Sequence, residues 1–342
     1  MEDKRLLNGV EREYWIDAIR SFACLCVIMT HAAMPNGSDG QSFIPIFNYF
    51  STAGASILFF MISGALVLYK EKDVFPFLKK RISRIALPMF IWSVVCLSID
   101  CLTGELSGGD YIKKISLIPF YPQVGTYWFI YVIFGIYLVT PILAMWLNRS
   151  KERDILFYLC LWAITLFLPY LVSFDIRFNS VIEYRHGVLY YFYGFLGFAV
   201  LGFYLRRYVN IKIYSFKHFT FLLFAIIMPC LLYCFTSVPH TIIHDRMSIN
   251  IVAMCICYFI IIKHIHLSSR VKHIVYDFAQ HSFGIYLVHI LIMRKVLWPL
   301  LWDYNIHYAI QIPLIVFLTA LLSYIIVHLI SKLPYSKYIV GL

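Results

Sequence analysis

The sequence predicts an all-α, polytopic membrane bundle of about ten transmembrane helices, with both termini in the cytoplasm. Three observations predict it. Of 342 residues, 61% are hydrophobic and only 14% are charged, against about 45–50% and about 25% in soluble domains. The mean hydropathy is +0.76. Ten spans of about 20 residues each would use about 200 residues, a share close to the apolar fraction. Finally, the 29 Lys and Arg fall in short clusters between apolar runs. This composition excludes a disordered chain, a coiled coil and an ordinary soluble enzyme.

The spans read along the chain at about 14–35, 46–69, 84–103, 126–147, 154–173, 188–206, 216–236, 247–263, 282–301 and 308–330. The stretch 266–280 is polar with scattered Ile, Val and Phe, and reads as an amphipathic helix at the membrane interface. With the N-terminus inside, this register puts 22 Lys and Arg on the cytoplasmic side and 7 on the other, which supports span number and orientation together. No loop exceeds about 25 residues, so 1–342 reads as one integral membrane domain, with the lipid bilayer as its solvent. The N-terminus MEDKRLLNGVEREYW is too charged for a cleaved signal peptide, so the first apolar run stays as an anchor. The net charge of +11 is explained by topology. No phosphate loop, zinc-type cysteine pair or RNA-binding signature argues for nucleic acid or a metal. Of the nine cysteines, all but Cys101 lie clearly within apolar runs and read as small hydrophobes.

Charges kept inside spans are expensive and point to function. The first span holds Asp17, Arg20 and His31. Arg20 and His31 are 11 residues apart, about three turns, so they share a face about 16 Å apart along the axis. Asp17 and Arg20, at i,i+3, are spaced for an ion pair. His31 reads either as a functional imidazole or as a residue touching water at the span's outer end. Arg81 and Arg84, in Phe77-Leu-Lys-Lys-Arg-Ile-Ser-Arg84, share a face at the start of the third span. They suit a polyanionic phosphate ligand or serve as a topological anchor. Within Phe59-Phe-Met-Ile-Ser-Gly64, Ser63 and Gly64 permit close helix packing or a narrow passage for a slender acyl chain. Trp128, in an aromatic run closed by Pro141, reads as an entrance or an interfacial belt; the proline kinks or ends its helix. Tyr286 and His289 add an intramembrane hydroxyl and imidazole in the ninth span. Glu183, Arg185 and His186 precede the sixth span, either solvated or meeting an acceptor.

In their order along the chain these motifs resemble the acyltransferase-3 family of membrane O-acyltransferases. The resemblance rests on Trp15-Ile-Asp-Ala-Ile-Arg20 followed by His31, on Phe59 to Gly64, and on Arg81 with Arg84. It continues with Trp128-Phe129, Tyr137 and Pro141, the Tyr190-to-Leu205 stretch, and Gly284-Ile-Tyr-Leu-Val-His289. Within the family it is most similar to the single-domain enterobacterial common antigen O-acetyltransferase type. Ala65 and Ala86-Leu87-Pro88 depart from the family's usual aromatics, and no extracytoplasmic esterase-like domain is appended.

The resemblance implies acyl-CoA, most often acetyl-CoA, as a co-substrate from the cytoplasm, with no permanently bound cofactor. It implies an acceptor hydroxyl on a cell-envelope glycan or glycolipid, and leaves a homo-oligomer open. His31 would be the general base, with Asp17 and Arg20 ordering the cytoplasmic half of the path. Arg81 and Arg84 would hold the CoA phosphates, and the pantetheine arm would pass Ser63. Trp128, Tyr286, His289 and Glu183 would contact the oxyanion or the acceptor. A transporter or flippase of an envelope glycan or lipid is the rival from another class. A haem protein is a further rival, given 12 His, although facing imidazole pairs are not evident in the sequence.

Overall fold

The computed structural model describes residues 6–7, 10–11, 13–33, 43–71, 73–172, 187–210, 220, 227, 245–302, 304 and 306–341. Apart from a two-residue antiparallel ladder, Leu6–Leu7 with Val10–Glu11, the described elements are helical. The long ones are α1 (Tyr14–His31), α2 (Phe43–Gly54), α3 (Ser56–Val67), α4 (Val74–Leu102), α5 (Gly108–Leu117), α6 (Trp128–Arg149) and α7 (Glu152–Val172). They continue with α8 (Leu196–Arg207), α9 (Ile249–His264), α10 (Ser269–Ile292), the short α11 (Trp298–Leu301), α12 (Tyr308–Ser331) and a final turn, α13 (Ser336–Val340).

Among the described residues five helical segments are long and apolar enough to cross a membrane: Phe47–Val67, Val74–Leu102, Gly125–Arg149, Ser269–Leu301 and Tyr308–Ser331. These match the second, third, fourth, ninth and tenth expected spans. The expected span at 216–236 lies almost wholly outside the described residues. Three boundaries differ from the sequence reading. α4 begins at Val74, ten residues before the expected start, so Arg81 and Arg84 lie inside a helix rather than at its entrance. Most of the stretch 266–280 forms the first half of α10, which runs unbroken from Ser269 to Ile292. The sixth span shortens to the 12 residues of α8. Hydropathy marks where a helix is apolar; its backbone hydrogen bonds carry it further into polar sequence. Pro88 and Pro141 both sit within continuous helices, so Pro141 does not end α6.

The chain divides into two compact units interleaved in sequence. The first comprises Met1–Cys26, Pro45–Leu66 and Lys151–Gln280; the second comprises Val27–Ile44, Val67–Ser150 and His281–Leu342. In the first unit, α3 and α8 meet backbone to backbone. A Cβ added to Gly64 would overlap the Ala199 carbonyl, and one added to Gly202 would overlap the Met61 carbonyl. This reciprocal small-residue contact is the form that helix association takes in an apolar solvent. The end of α8 is tied down by charge. Arg206 meets Glu13 at 2.7 Å and donates to the Ala65 carbonyl, while Lys263 Nζ donates to the Leu205 and Val209 carbonyls at 3.1 and 2.9 Å. The Leu205 carbonyl is among the acceptors that the end of α8 leaves unpaired.

The second unit is built on α4, α6, the later half of α10, and α12. Trp92 Nε1 donates to the Ile339 carbonyl at 3.0 Å, pinning α13 to α4. Phe77 stacks edge-on against Tyr137, and Gly284 gives α10 close approach to Val327 of α12. Asn148 caps the Leu68 carbonyl at 2.8 Å, and Arg149 pairs with Glu71 at 3.0 Å.

Gly64→Val and Gly202→Val should each lower unfolding stability in detergent by about 3 kcal/mol, the upper range for forcing atoms into a packed contact. Gly135→Ala, on α6 with open space around its Cα, should be neutral or stabilising by up to about 1 kcal/mol. Thermal denaturation of the three purified variants checks the contrast.

Candidate functional site

The second unit brings two histidines together that are far apart in sequence. His31, the last residue of α1, and His289, in the last turn of α10, have ring centroids 5.7 Å apart. His289 is 0% exposed, and His31 is half-buried. The His289 Nδ1 atom lies 2.6 Å from the Tyr286 carbonyl. A carbonyl oxygen only accepts, so Nδ1 carries the proton and Nε2 holds a lone pair. That Nε2 has no hydrogen-bond partner among the described residues. His289 in its neutral form is therefore a proton acceptor rather than a donor to an oxyanion.

Tyr286 is the neighbour that holds this arrangement. Its ring lies 5.8 Å from His289 and 5.9 Å from Tyr127. Its hydroxyl donates to the Thr126 carbonyl, so its proton is committed to the backbone rather than offered to a substrate. Tyr127, fully buried at the base of α6, donates to the Leu287 carbonyl at 2.5 Å and meets Cys96 Sγ at 3.9 Å. Two buried atoms bracket Tyr286, namely His289 Nε2 and Thr126 Oγ1, and neither has a hydrogen-bond partner among the described residues. Trp128 opens α6 and packs edge-on with Phe129, which in turn packs on Tyr286.

A cavity of about 270 Å³ opens beside this cluster. Its polar lining includes Asp100, Glu105, Lys114, Gln123, Arg294 and Lys295, and Cys96, Ile290 and Leu291 form part of its wall. Lys295 bridges Asp100 at 2.8 Å and Glu105 at 2.5 Å, and Arg294 reaches Glu105 at 3.4 Å. Arg294 and Lys295 lie in a π-turn, Met293–Leu297, a local widening that recurs at functional sites. Lys114 is brought in by α5, whose start is capped by Ser107 accepting from the Asp110 N–H.

At the other end of the same unit stand Arg81, half-buried, and Arg84, exposed, with Lys79 and Lys80 exposed beside them. The Arg84 carbonyl and Phe283 both lie against Gly341, which sets Arg84 near the level of Phe283. His289 is six residues further along α10, about 9 Å, and Asp100 is 16 residues beyond Arg84 on α4, about 24 Å. The histidine pair thus lies between the basic end and the cavity. A second imidazole pair, His281 with His328 at 5.4 Å, packs around Tyr324 nearer the basic end.

The other expected residues belong to the first unit or lie outside the described residues. Asp17, 2% exposed, and half-buried Arg20 belong to the first unit, although they share α1 with His31. Ser63 is half-buried in the first unit, and its neighbour Gly64 is closed against α8. For that glycine the packing reading holds and no passage opens on its face. Glu183, Arg185 and His186 lie outside the described residues. Sequence reasoning missed the cavity. Lys114, Arg294 and Lys295 are among the seven cations that the sequence places on the non-cytoplasmic side, and the acidic residues Asp100 and Glu105 are the signal in the sequence that could have found it.

The sequence model for the family described as an acyltransferase domain (Acyl_transf_3) matches residues 13–328. No curated protein and no solved structure matches the chain. The match runs from the start of α1 through His31, the α4 arginines and His289 to the end of α12, and the chain belongs to the acyltransferase-3 family.

Proposed function

We propose that this membrane acyltransferase moves an acyl group, acetyl by preference, from cytoplasmic acyl-CoA to a hydroxyl of a cell-envelope glycan or glycolipid. In this reading it is a multi-pass protein of the inner membrane, with both termini cytoplasmic. It acts as the single-domain enterobacterial common antigen O-acetyltransferase type does. One observation carries the reading: a pair of imidazoles, one of them fully buried, lies between a cation-rich helix end and a polar cavity.

Arg81 and Arg84, with Lys79 and Lys80 beside them, offer bidentate and point-charge partners for the phosphates of CoA. The thioester then lies deeper in the unit, near the histidines. His31 removes the proton from the acceptor hydroxyl, and the oxygen attacks the thioester carbonyl carbon. The tetrahedral intermediate collapses as the C–S bond breaks, and the CoA thiolate takes up the proton. An imidazole titrates near neutral pH and suits both steps. The lone pair on His289 Nε2 provides a second acceptor beside His31, so the proton can be shared across the pair. In this reading Asp17 and Arg20, on the first half of α1, order the cytoplasmic half of the path.

His31→Ala should abolish acyl transfer while expression and thermal stability stay near wild type, read by mass spectrometry of envelope glycans from complemented cells. Near-normal acetylation would remove His31 from the mechanism. The double substitution Arg81→Ala with Arg84→Ala should weaken acetyl-CoA binding by about tenfold or more, as expected for lost charge-assisted bonds. Calorimetry on purified protein reads this directly, and unchanged affinity would leave the two arginines a topological role. Stabilisation of the wild-type protein by acetyl-CoA separates the acyltransferase from a glycan transporter, which has no use for that ligand.

A further inference from the structure

We propose that the cavity at the Asp100 end of the second unit is the acceptor subsite, and that it selects a single sugar ring carrying one negative charge. The inference rests on the acyl-transfer reading and specifies the substrate that reading left open.

Size, chemistry and position all bear on it. At about 270 Å³ the cavity falls just below the ~300–1,000 Å³ of pockets that enclose drug-sized ligands, which suits one ring better than an oligosaccharide. A sugar hydroxyl both donates and accepts, so a sugar site needs donors and acceptors interleaved. Here Asp100 and Glu105 accept, while Arg294, Lys295 and Gln123 donate. The ion pairs among these groups fix their geometry before any ligand arrives, so little ordering is left for binding to supply.

The charges do not balance. Lys295 and Arg294 already engage both carboxylates. Lys114 lines the same cavity and has no carboxylate partner among the described residues. Three cations therefore face two anions, and the surplus ammonium favours a ring bearing a carboxylate or a phosphate. A positively charged aminosugar would add a fourth cation.

The cavity also reaches the chemistry. Ile290 and Leu291, which form part of its wall, directly follow His289. Cys96, another wall residue, touches the Tyr127 hydroxyl, and from there Tyr127, Tyr286, His289 and His31 stand ring beside ring at 5.7–5.9 Å. A ring held by its anionic group at Lys114 would present hydroxyls toward that wall.

The test uses the full-length protein in lipid nanodiscs, with thermal-unfolding titrations of glucose, glucuronate and glucose 6-phosphate against wild type, Lys114→Ala and Lys114→Glu. Wild type should bind glucuronate or glucose 6-phosphate about tenfold more tightly than glucose, and the preferred anion identifies the group as carboxylate or phosphate. Lys114→Ala should erase that preference and Lys114→Glu should reverse it, with acetyl-CoA affinity unchanged in both. Equal binding of the three sugars by wild type, or a preference that survives Lys114→Glu, overturns the proposal. So does acetyl-CoA binding with no binding of any sugar, which leaves the acyl-transfer reading standing. Loss of acetyl-CoA binding by wild type would instead strike the acyl-transfer reading, while the sugar titrations would still score the cavity.

Discussion

The structure turns on a polar group that an apolar interior cannot leave uncompensated. Inside a helical unit with little water, every buried nitrogen or oxygen must find a partner or serve a purpose that outweighs the loss. His289 satisfies one nitrogen on the Tyr286 carbonyl and leaves the other bare beside His31. Much of the second unit is arranged around that choice. Gly284 lets α10 approach α12, Tyr127 clamps the backbone at Leu287, and the Tyr286 hydroxyl is spent on Thr126. The result is a His289 ring held in one orientation beside His31, the kind of fixed geometry that general base catalysis would require.

The unit is also polarised along its length. One end of α4 carries exposed arginine and lysine; the other carries the carboxylates that meet Lys295 and Arg294. A single 29-residue helix thereby joins two chemically different ends. The first unit contributes differently. Its α3–α8 contact has no space for even a methyl group at Gly64 or Gly202, and its charges, Arg206 with Glu13 and Lys263 on the end of α8, neutralise a helix terminus.

Much of this was legible in the chain. The all-helical class, five of the spans, the polar residues of α1 and α10 and the arginine pair follow from composition, periodicity and spacing. What was not legible depended on contacts between distant segments. His31 and His289 each stood out as an ionisable group in an apolar run, yet nothing in a linear sequence says that residues 258 positions apart face one another. The same holds for His281 and His328. The cavity escaped notice because a charge between spans looks the same whether water or a substrate meets it. Gly64 was ambiguous for the same reason, since a small residue leaves space that only the neighbouring helix decides how to fill. The early start of α4 and the unbroken α10 show helices extending beyond their apolar stretches, where hydropathy gives no mark.

In the proposed reaction, donor and acceptor reach one imidazole pair from opposite faces of the membrane. Sealed vesicles from cells making the protein test it most directly, with labelled acetyl-CoA, which does not cross a bilayer, added only outside. Labelled glycan is expected within inverted vesicles, whose cytoplasmic face is outward, and none in right-side-out vesicles. Equal labelling in right-side-out vesicles would contradict it.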